Sequence, residues 1–173
     1  MRQGGGRQKG NNFELKMARA FSVWWGQPDA DKKLAKDLWF RRTPLSGGWA
    51  STITAGDIVT VSEEAKDFPF CPEFKKQECW DWSGWVNGNE GWPVWGFWKQ
   101  CYTAADAMKK LPLLVFTKNH SPEYYCVVAP LAAKLGLKYF TSIDPTVNSH
   151  VFAFGLLKDL LAVPKDKVLA ALA

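Results

Sequence analysis

Gly56-Asp57-Ile58-Val59-Thr60-Val61, then Phe68-Pro69-Phe70-Cys71-Pro72-Glu73-Phe74-Lys75 after a polar turn, is the stretch that decides how this chain is read. Ile58, Val59 and Val61 mark a strand that opens at Gly56 and Asp57. Phe68 to Lys75 reads as its hairpin partner across the turn Ser62–Asp67. Successive strand side chains point to opposite faces. Phe68, Phe70 and Phe74 therefore share one face, and Glu73 and Lys75 stand side by side on the other. A hairpin brings Asp57 opposite Glu73.

Two carboxylates at short range repel each other, and a divalent cation removes that cost. Hard oxygen ligands with open water positions suit Mg²⁺, with Mn²⁺ as a substitute. Such an ion polarises a phosphate and stabilises charge on a leaving oxygen. Lys75 is then placed to orient or deprotonate an attacking water, or to stabilise developing negative charge. The competing meaning is a solvent-facing Glu–Lys pair on an amphipathic strand, which is what an isolated E-x-K usually signifies. Three features weigh against it. Asp57 follows a glycine at hairpin range, Glu14 lies in the first turn of an upstream helix, and Arg41, Arg42 and Ser46 lie in the loop region before the acidic strand.

Upstream, Met1 to Gly10 is rich in Gly, Arg and Gln and reads as a flexible basic arm carrying Arg2, Arg7 and Lys9. Asn11 or Asn12 is positioned to cap a helix running to about Trp25, whose core face is Phe13, Met17, Ala20, Phe21 and Trp24. Glu14 sits near the positive end of that helix dipole. A second short helix is expected over Asp29–Leu38, an extended piece over Trp39–Thr43, and a loop over Pro44–Thr54.

Downstream, Trp80 to Trp98 holds six of the ten tryptophans and is too irregular for a regular element. Aromatic rings such as Trp82, Trp85 and Trp92 stack on exposed bases in some proteins and form satellite cores or dimer contacts in others. Packing is the favoured reading for most of them here. A helix is expected from about Trp95 to Leu111, with Trp95, Trp98, Tyr102, Ala105 and Met108 on one face. Leu113–Lys118 and Tyr124–Ala129 read as strands joined by the turn Asn119–Pro122. A short helix, Pro130–Leu135, ends at Gly136. A strand follows near Val151–Phe154, then helices over Leu156–Val163 and Pro164–Leu172. With no internal repeat and no long linker, the order predicts one α/β domain over residues 11–173: a mixed central β-sheet flanked by helices.

Composition agrees with a globular protein, with 47% apolar and 23% charged residues. No apolar run reaches the ~20 residues a membrane span needs. Met1 to Gly10 is polar and basic where a secretory signal would be apolar, so a cytoplasmic location is expected. The net charge of +5 favours a polyanionic partner. Arg7, Lys9, Arg41, Arg42 and Lys76 are candidates for neutralising phosphates, with Ser46 as a further polar contact. Cys71, Cys79, Cys101 and Cys126 show no CxxC pair and read as reduced and mostly buried, with a zinc site on Cys71 and Cys79 as a minor alternative. His120 and His150 stand without partners in the sequence and read as ordinary residues.

The order Gly56-Asp57-Ile58-Val59, then Glu73-Phe74-Lys75, resembles the PD-(D/E)xK nuclease motif. Arg7-Gln8-Lys9-Gly10 followed by Glu14 is similar to the opening of archaeal-type and phage Holliday junction resolvases, where a basic Lys-Gly element precedes a helix carrying a catalytic glutamate. Arg42 and Ser46 fall where those resolvases carry an arginine–serine loop. Lys75-Lys76-Gln77-Glu78-Cys79-Trp80 and Trp98-Lys99-Gln100 look like small phage-encoded members of the superfamily. The resemblance covers roughly Arg7 to Lys118. It implies a restriction-endonuclease-like fold and a Mg²⁺-dependent endonuclease acting on DNA, with branched or four-way junctions as substrate and a homodimer as the working form. It implies that Glu14, Asp57 and Glu73 bind metal directly or through water, that Lys75 is catalytic, and that Gln100 reaches the site. The chain departs from the motif at Gly56, which stands where the motif's name has proline. Pro72 also removes a ladder donor, so the acidic strand is expected to bulge or lie at an edge. The rival readings are a nicking, restriction or repair-type nuclease of the same fold, a non-catalytic nucleic-acid-binding module, and a tryptophan-rich interaction protein.

Overall fold

Alternation along four strands sorts the core into two layers. The computed structural model describes residues 5–43, 56–87, 91–143 and 151–173, with side chains from Gly10 onward except that of Ile143. Strands β3 (Phe70–Lys76), β4 (Leu111–Thr117), β5 (Tyr124–Val128), β6 (Phe140–Ile143) and β7 (Val151–Leu156) form a mixed sheet in the order β3-β4-β5-β7-β6. Phe70, Phe74, Leu113, Val115, Tyr125, Val127 and Ala153 point to one face, into a core shared with α1 (Gly5–Trp24), α4 (Ala129–Leu135), α5 (Leu157–Leu161) and α6 (Lys165–Ala170). Leu114, Phe116, Cys126, Phe152 and Phe154 point to the other, against α2 (Trp82–Val86) and α3 (Pro93–Ala107). The period of two in the sequence is thus spent on two apolar layers with one sheet between them.

The acidic strand is at an edge, as Pro72 requires. β3 pairs in parallel with β4 alone, with Pro72 opposite Leu113 and Lys76 opposite Thr117. The N and O atoms of one strand residue point the same way. The Pro72 carbonyl points outward, accepting from Asp57 N at 2.9 Å, so its missing N–H costs no bond to β4.

The expected hairpin is corrected. β2 (Ile58–Thr60) pairs antiparallel with β1 (Phe40–Arg42), not with β3. Backbone bonds from Thr43 N to Asp57 O (3.0 Å) and from Val61 N to Trp39 O (2.9 Å) bracket that ladder. β3 offers β2 a poor ladder, because Pro72 has no donor and the N–H of Phe74 is taken by the Asp57 side chain at 2.6 Å.

The second helix expected over Asp29–Leu38 is reduced to one 3₁₀ turn, Ala35–Asp37. Asp29 has φ 51°, which no right-handed helix admits. Arg19 donates to the carbonyls of Ala30, Asp31 and Lys33 at 2.7–2.9 Å, and Gln27 donates to Asp37 O at 2.7 Å, so side chains satisfy groups that a helix would pair internally. α1 begins at Gly5, upstream of the cap read at Asn11 or Asn12, so part of the stretch read as an arm is helical backbone. β6 is an element the sequence reading passed over; Phe140 in it is largely exposed, which hides the alternation that marks a strand.

The tryptophan segment is mostly core. Trp80, Trp92, Trp95 and Trp98 are buried. Trp82 stacks on Phe154 with ring centroids 5.4 Å apart, and Trp85 meets the same ring edge-on at 5.1 Å. Among the described residues no helix is long and apolar enough to cross a membrane.

Candidate active site

Asp57 joins the two sheets. Its N–H reaches Pro72 O on the edge of β3, its own carbonyl accepts from Thr43, and its Oδ2 accepts from Phe74 N. Gly56 makes this approach available. Its φ is +97°, and a Cβ there would lie 2.9 Å from Pro72 O and 3.0 Å from Cys71 Sγ. Proline, fixed near −65°, cannot adopt that conformation. The glycine in the motif is therefore a local backbone solution for bringing Asp57 onto β3. Gly56→Ala combines a left-handed alanine with a backbone clash, and should cost about 2 kcal/mol or more, read as a lowered melting midpoint in denaturant.

Glu73 and Lys75 share the face of β3 that looks toward α3. Glu73 is buried at 5% exposure. Its Oε1 accepts from Lys75 Nζ at 2.6 Å and from Gln100 Nε2, on α3, at 2.7 Å. An ammonium and an amide thus hold one oxygen of a buried carboxylate in a fixed orientation. Among the described residues the other oxygen, Oε2, accepts no bond, and neither does Oδ1 of Asp57.

Asp57 feels its neighbours. Burial pushes its carboxyl up to about 7, Glu73 and Glu14 push the same way, and the Phe74 N–H and Lys75 oppose them. A half-buried acid facing two other acids is held in its neutral form by their negative potential, a condition a bound cation relieves. The donor set fits a hard divalent ion that keeps several waters: the buried Glu73 carboxylate and the half-buried Asp57 carboxyl, beside a lysine. Among the described residues no three His, Cys, Asp or Glu side chains are gathered closely enough to enclose a metal by themselves. Glu14 is instead engaged by Arg42, whose Nε donates to its Oε2 at 2.5 Å while Nη2 donates to Asn11 Oδ1 at 2.7 Å.

The raised carboxyl has a stability consequence in the metal-free protein. The folded chain holds the Asp57 proton up to about pH 7, whereas the unfolded carboxyl releases it near 3.8. The proton's contribution is full below about pH 4 and is lost as pH rises through 7. With EDTA present, the wild type should melt at progressively lower temperature between pH 4 and 7. Asp57→Asn keeps an acceptor for Phe74 N–H and carries no charge. It should flatten that dependence and be more stable than wild type at pH 8, by on the order of 2 kcal/mol.

The remaining sequence candidates are dispersed. Arg42 faces Glu14, and exposed Arg41 donates to Lys36 O. Lys76 is exposed at the end of β3. Ser46 and His150 lie outside the described residues, as do the side chains of Arg7 and Lys9. Cys71, Cys101 and Cys126 are buried and Cys79 is exposed, none of the four in a disulfide, and among the described residues Cys71 and Cys79 belong to no group of three or more metal-ligating side chains. Asn11 was read only as a helix cap; its position one turn before Glu14, on the same helix face, is the signal that it supports Arg42.

None of the curated proteins or solved structures compared with the chain matches it. The family described as "Phage putative PDDEXK endonuclease" matches residues 5–155. That span holds Glu14, Asp57, Glu73, Lys75 and Gln100, together with β1 to β6 and nearly all of β7, in the mixed α/β arrangement of restriction-endonuclease-like enzymes. The chain therefore belongs to this family of phage PDDEXK endonucleases, and it is a nuclease by family.

Proposed function

We propose that this nuclease is a divalent-metal-dependent endonuclease that hydrolyses DNA phosphodiester bonds, with branched DNA such as a four-way junction as its preferred substrate. The single observation that carries the reading is the Glu73 carboxylate. It is buried, held by Lys75 and Gln100 on one oxygen, open on the other, and set beside an Asp57 that its charge helps to keep protonated. Asp57 and Glu73 would hold Mg²⁺ or Mn²⁺, with Glu14 acting through water, and the ion would neutralise charge on the scissile phosphate. Lys75 donates to the attacking or transferring oxygen, or relays its proton, from a position fixed by Glu73. Gln100 keeps Glu73 from rotating. Arg42 orients Glu14 rather than binding phosphate itself. Arg7, Lys9, Arg41, Ser46 and Lys76 supply contacts to the DNA backbone.

The preference for branched DNA rests on the resemblance of the Lys9-Gly10, Glu14, Arg42 and Ser46 pattern to junction resolvases. Symmetric cutting of a junction needs two active sites, so the working form is a homodimer, acting in the cytoplasm of a bacterial host. Cleavage of a synthetic four-way junction is to be compared with that of a linear duplex of matched sequence, each with Mg²⁺, Mn²⁺ or EDTA. Paired cuts confined to the junction support the reading. Equal cutting of both substrates replaces it with a restriction or repair-type nuclease. Cutting that persists in EDTA removes the metal requirement.

A further inference from the structure

A basic cleft is lined in part by α1 and β3, the elements that also carry Glu14, Glu73 and Lys75. Asn12 and Lys16 on α1, Lys76 at the end of β3, and Lys118, His120 and Ser121 in the β4–β5 turn line a cleft of about 400 Å³. Three lysines and one glutamate line it, and that glutamate, Glu123, pairs with Lys16 at 2.5 Å. Apart from the Phe13 ring, the remaining lining groups are amide, hydroxyl and imidazole, which suit an anion with many acceptor oxygens.

The cleft is built, not merely charged. Lys118 Nζ donates to Trp80 O at 3.1 Å and stands 5.0 Å from the centre of that indole ring, so its position is fixed from two directions. The turn that carries His120 is closed by Ser121 N donating to Lys118 O at 3.3 Å. It is pinned by Thr117 Oγ1 donating to Pro122 O at 2.9 Å, and by Asn119 N donating to Glu78 Oε1 at 3.0 Å. His120 has φ 57°, a left-handed conformation that glycine or asparagine adopts at less cost. The turn thereby carries an imidazole on the cleft wall. Lys76 has no ion-pair or hydrogen-bond partner among the described residues and is open to a ligand.

Position identifies the ligand. Lys76 follows Lys75, one ~3.8 Å Cα step along β3, with its side chain on the other face of this edge strand. Phe13, which also lines the cleft, precedes Glu14 and packs on Phe74 with ring centroids 6.2 Å apart. A polymer lying across Asp57 and Glu73 has to leave along a neighbouring surface, and this one carries the opposite charge. We infer that the cleft formed by Lys16, Lys76, Lys118 and His120 binds the backbone phosphates of the DNA flanking the cleavage point. The inference rests on the nuclease reading with DNA as substrate.

The test separates the two. Binding of a mixed-sequence 30-base-pair duplex is measured against salt concentration with the full chain carrying Asp57→Asn, in EDTA, so that cleavage does not interfere. Each neutralised phosphate contributes about 0.9 to the slope of log K against log salt. Lys16→Ala with Lys76→Ala should lower the slope by about 1–2 and weaken binding by roughly 5- to 30-fold at 0.1 M salt. Lys16→Arg with Lys76→Arg should restore both, and Lys109→Ala, an exposed lysine at the far end of β4, should change neither. Overturning results are a slope unchanged in the double alanine variant, an equal fall in Lys109→Ala, or no recovery with arginine. A parent protein that binds no DNA removes both readings, whereas a salt-dependent parent indifferent to the cleft variants removes the cleft alone.

Discussion

Asp57→Asn should reduce DNA cleavage by about 10³-fold or more while leaving the protein folded. The substitution is nearly isosteric, and the new amide oxygen still accepts from Phe74 N–H, the 2.6 Å bond that fixes Asp57 against β3. What disappears is one of the two carboxyl groups proposed to hold the cation. The prediction is sharper for being paired with a gain in stability. The same carboxyl, pushed up to about 7 by burial and by its acidic neighbours, is a liability to the metal-free fold at neutral pH. Activity and melting temperature should therefore move in opposite directions, which distinguishes a functional acid from one that holds the fold. Single-turnover cleavage with Mg²⁺, together with thermal melting in EDTA at pH 8, checks both halves. A variant that retains activity within tenfold of wild type, or that melts lower than wild type, would count against Asp57 as the centre of the site. Lys75→Met should lose cleavage to a similar extent. Gln100 still holds Glu73 in that variant, so the loss reports on the ammonium itself.

Phe21→Ala should be the most damaging single change to the fold, costing roughly 3–5 kcal/mol. Phe21 is fully buried on α1, and its ring meets Trp24 at 5.6 Å, Phe40 at 6.3 Å, Phe68 at 5.8 Å and Phe74 at 5.7 Å. Those rings belong to α1, β1, β3 and the segment entering β3, so one side chain ties together the elements that carry Glu14, Arg42, Glu73 and Lys75. Their closeness leaves little room to collapse into the vacated volume, which is what sets the cost of a cavity. For a chain of 173 residues the loss corresponds to a fall in melting temperature of about 10 °C. Loosening of Phe74, which lies between Glu73 and Lys75, should also lower cleavage measured well below the new melting temperature. A fall of less than about 3 °C would mean that α1 is not anchored to the sheet through this cluster.

The sequence by itself determined the features that depend only on neighbours along the chain. Alternation placed Glu73 beside Lys75 and opposite Phe74. Helical spacing put Phe13, Met17 and Phe21 on one face, and Pro72 narrowed β3 to a bulged or an edge strand. Each is set by backbone geometry with a short period, so a local reading suffices. Tertiary structure decided the rest. β2 paired with β1 in place of β3. Asp57 came to the acidic strand through its own side chain and a left-handed glycine. Gln100 crossed from α3 to Glu73, Arg42 turned to Glu14, and three separate elements assembled the lysine cleft. None of these follows from a period, because partners 13 to 107 residues apart in the chain are chosen by the packing of the whole core. That choice is a small difference between large opposing free energies, summed over many weak contacts that no single stretch of sequence displays.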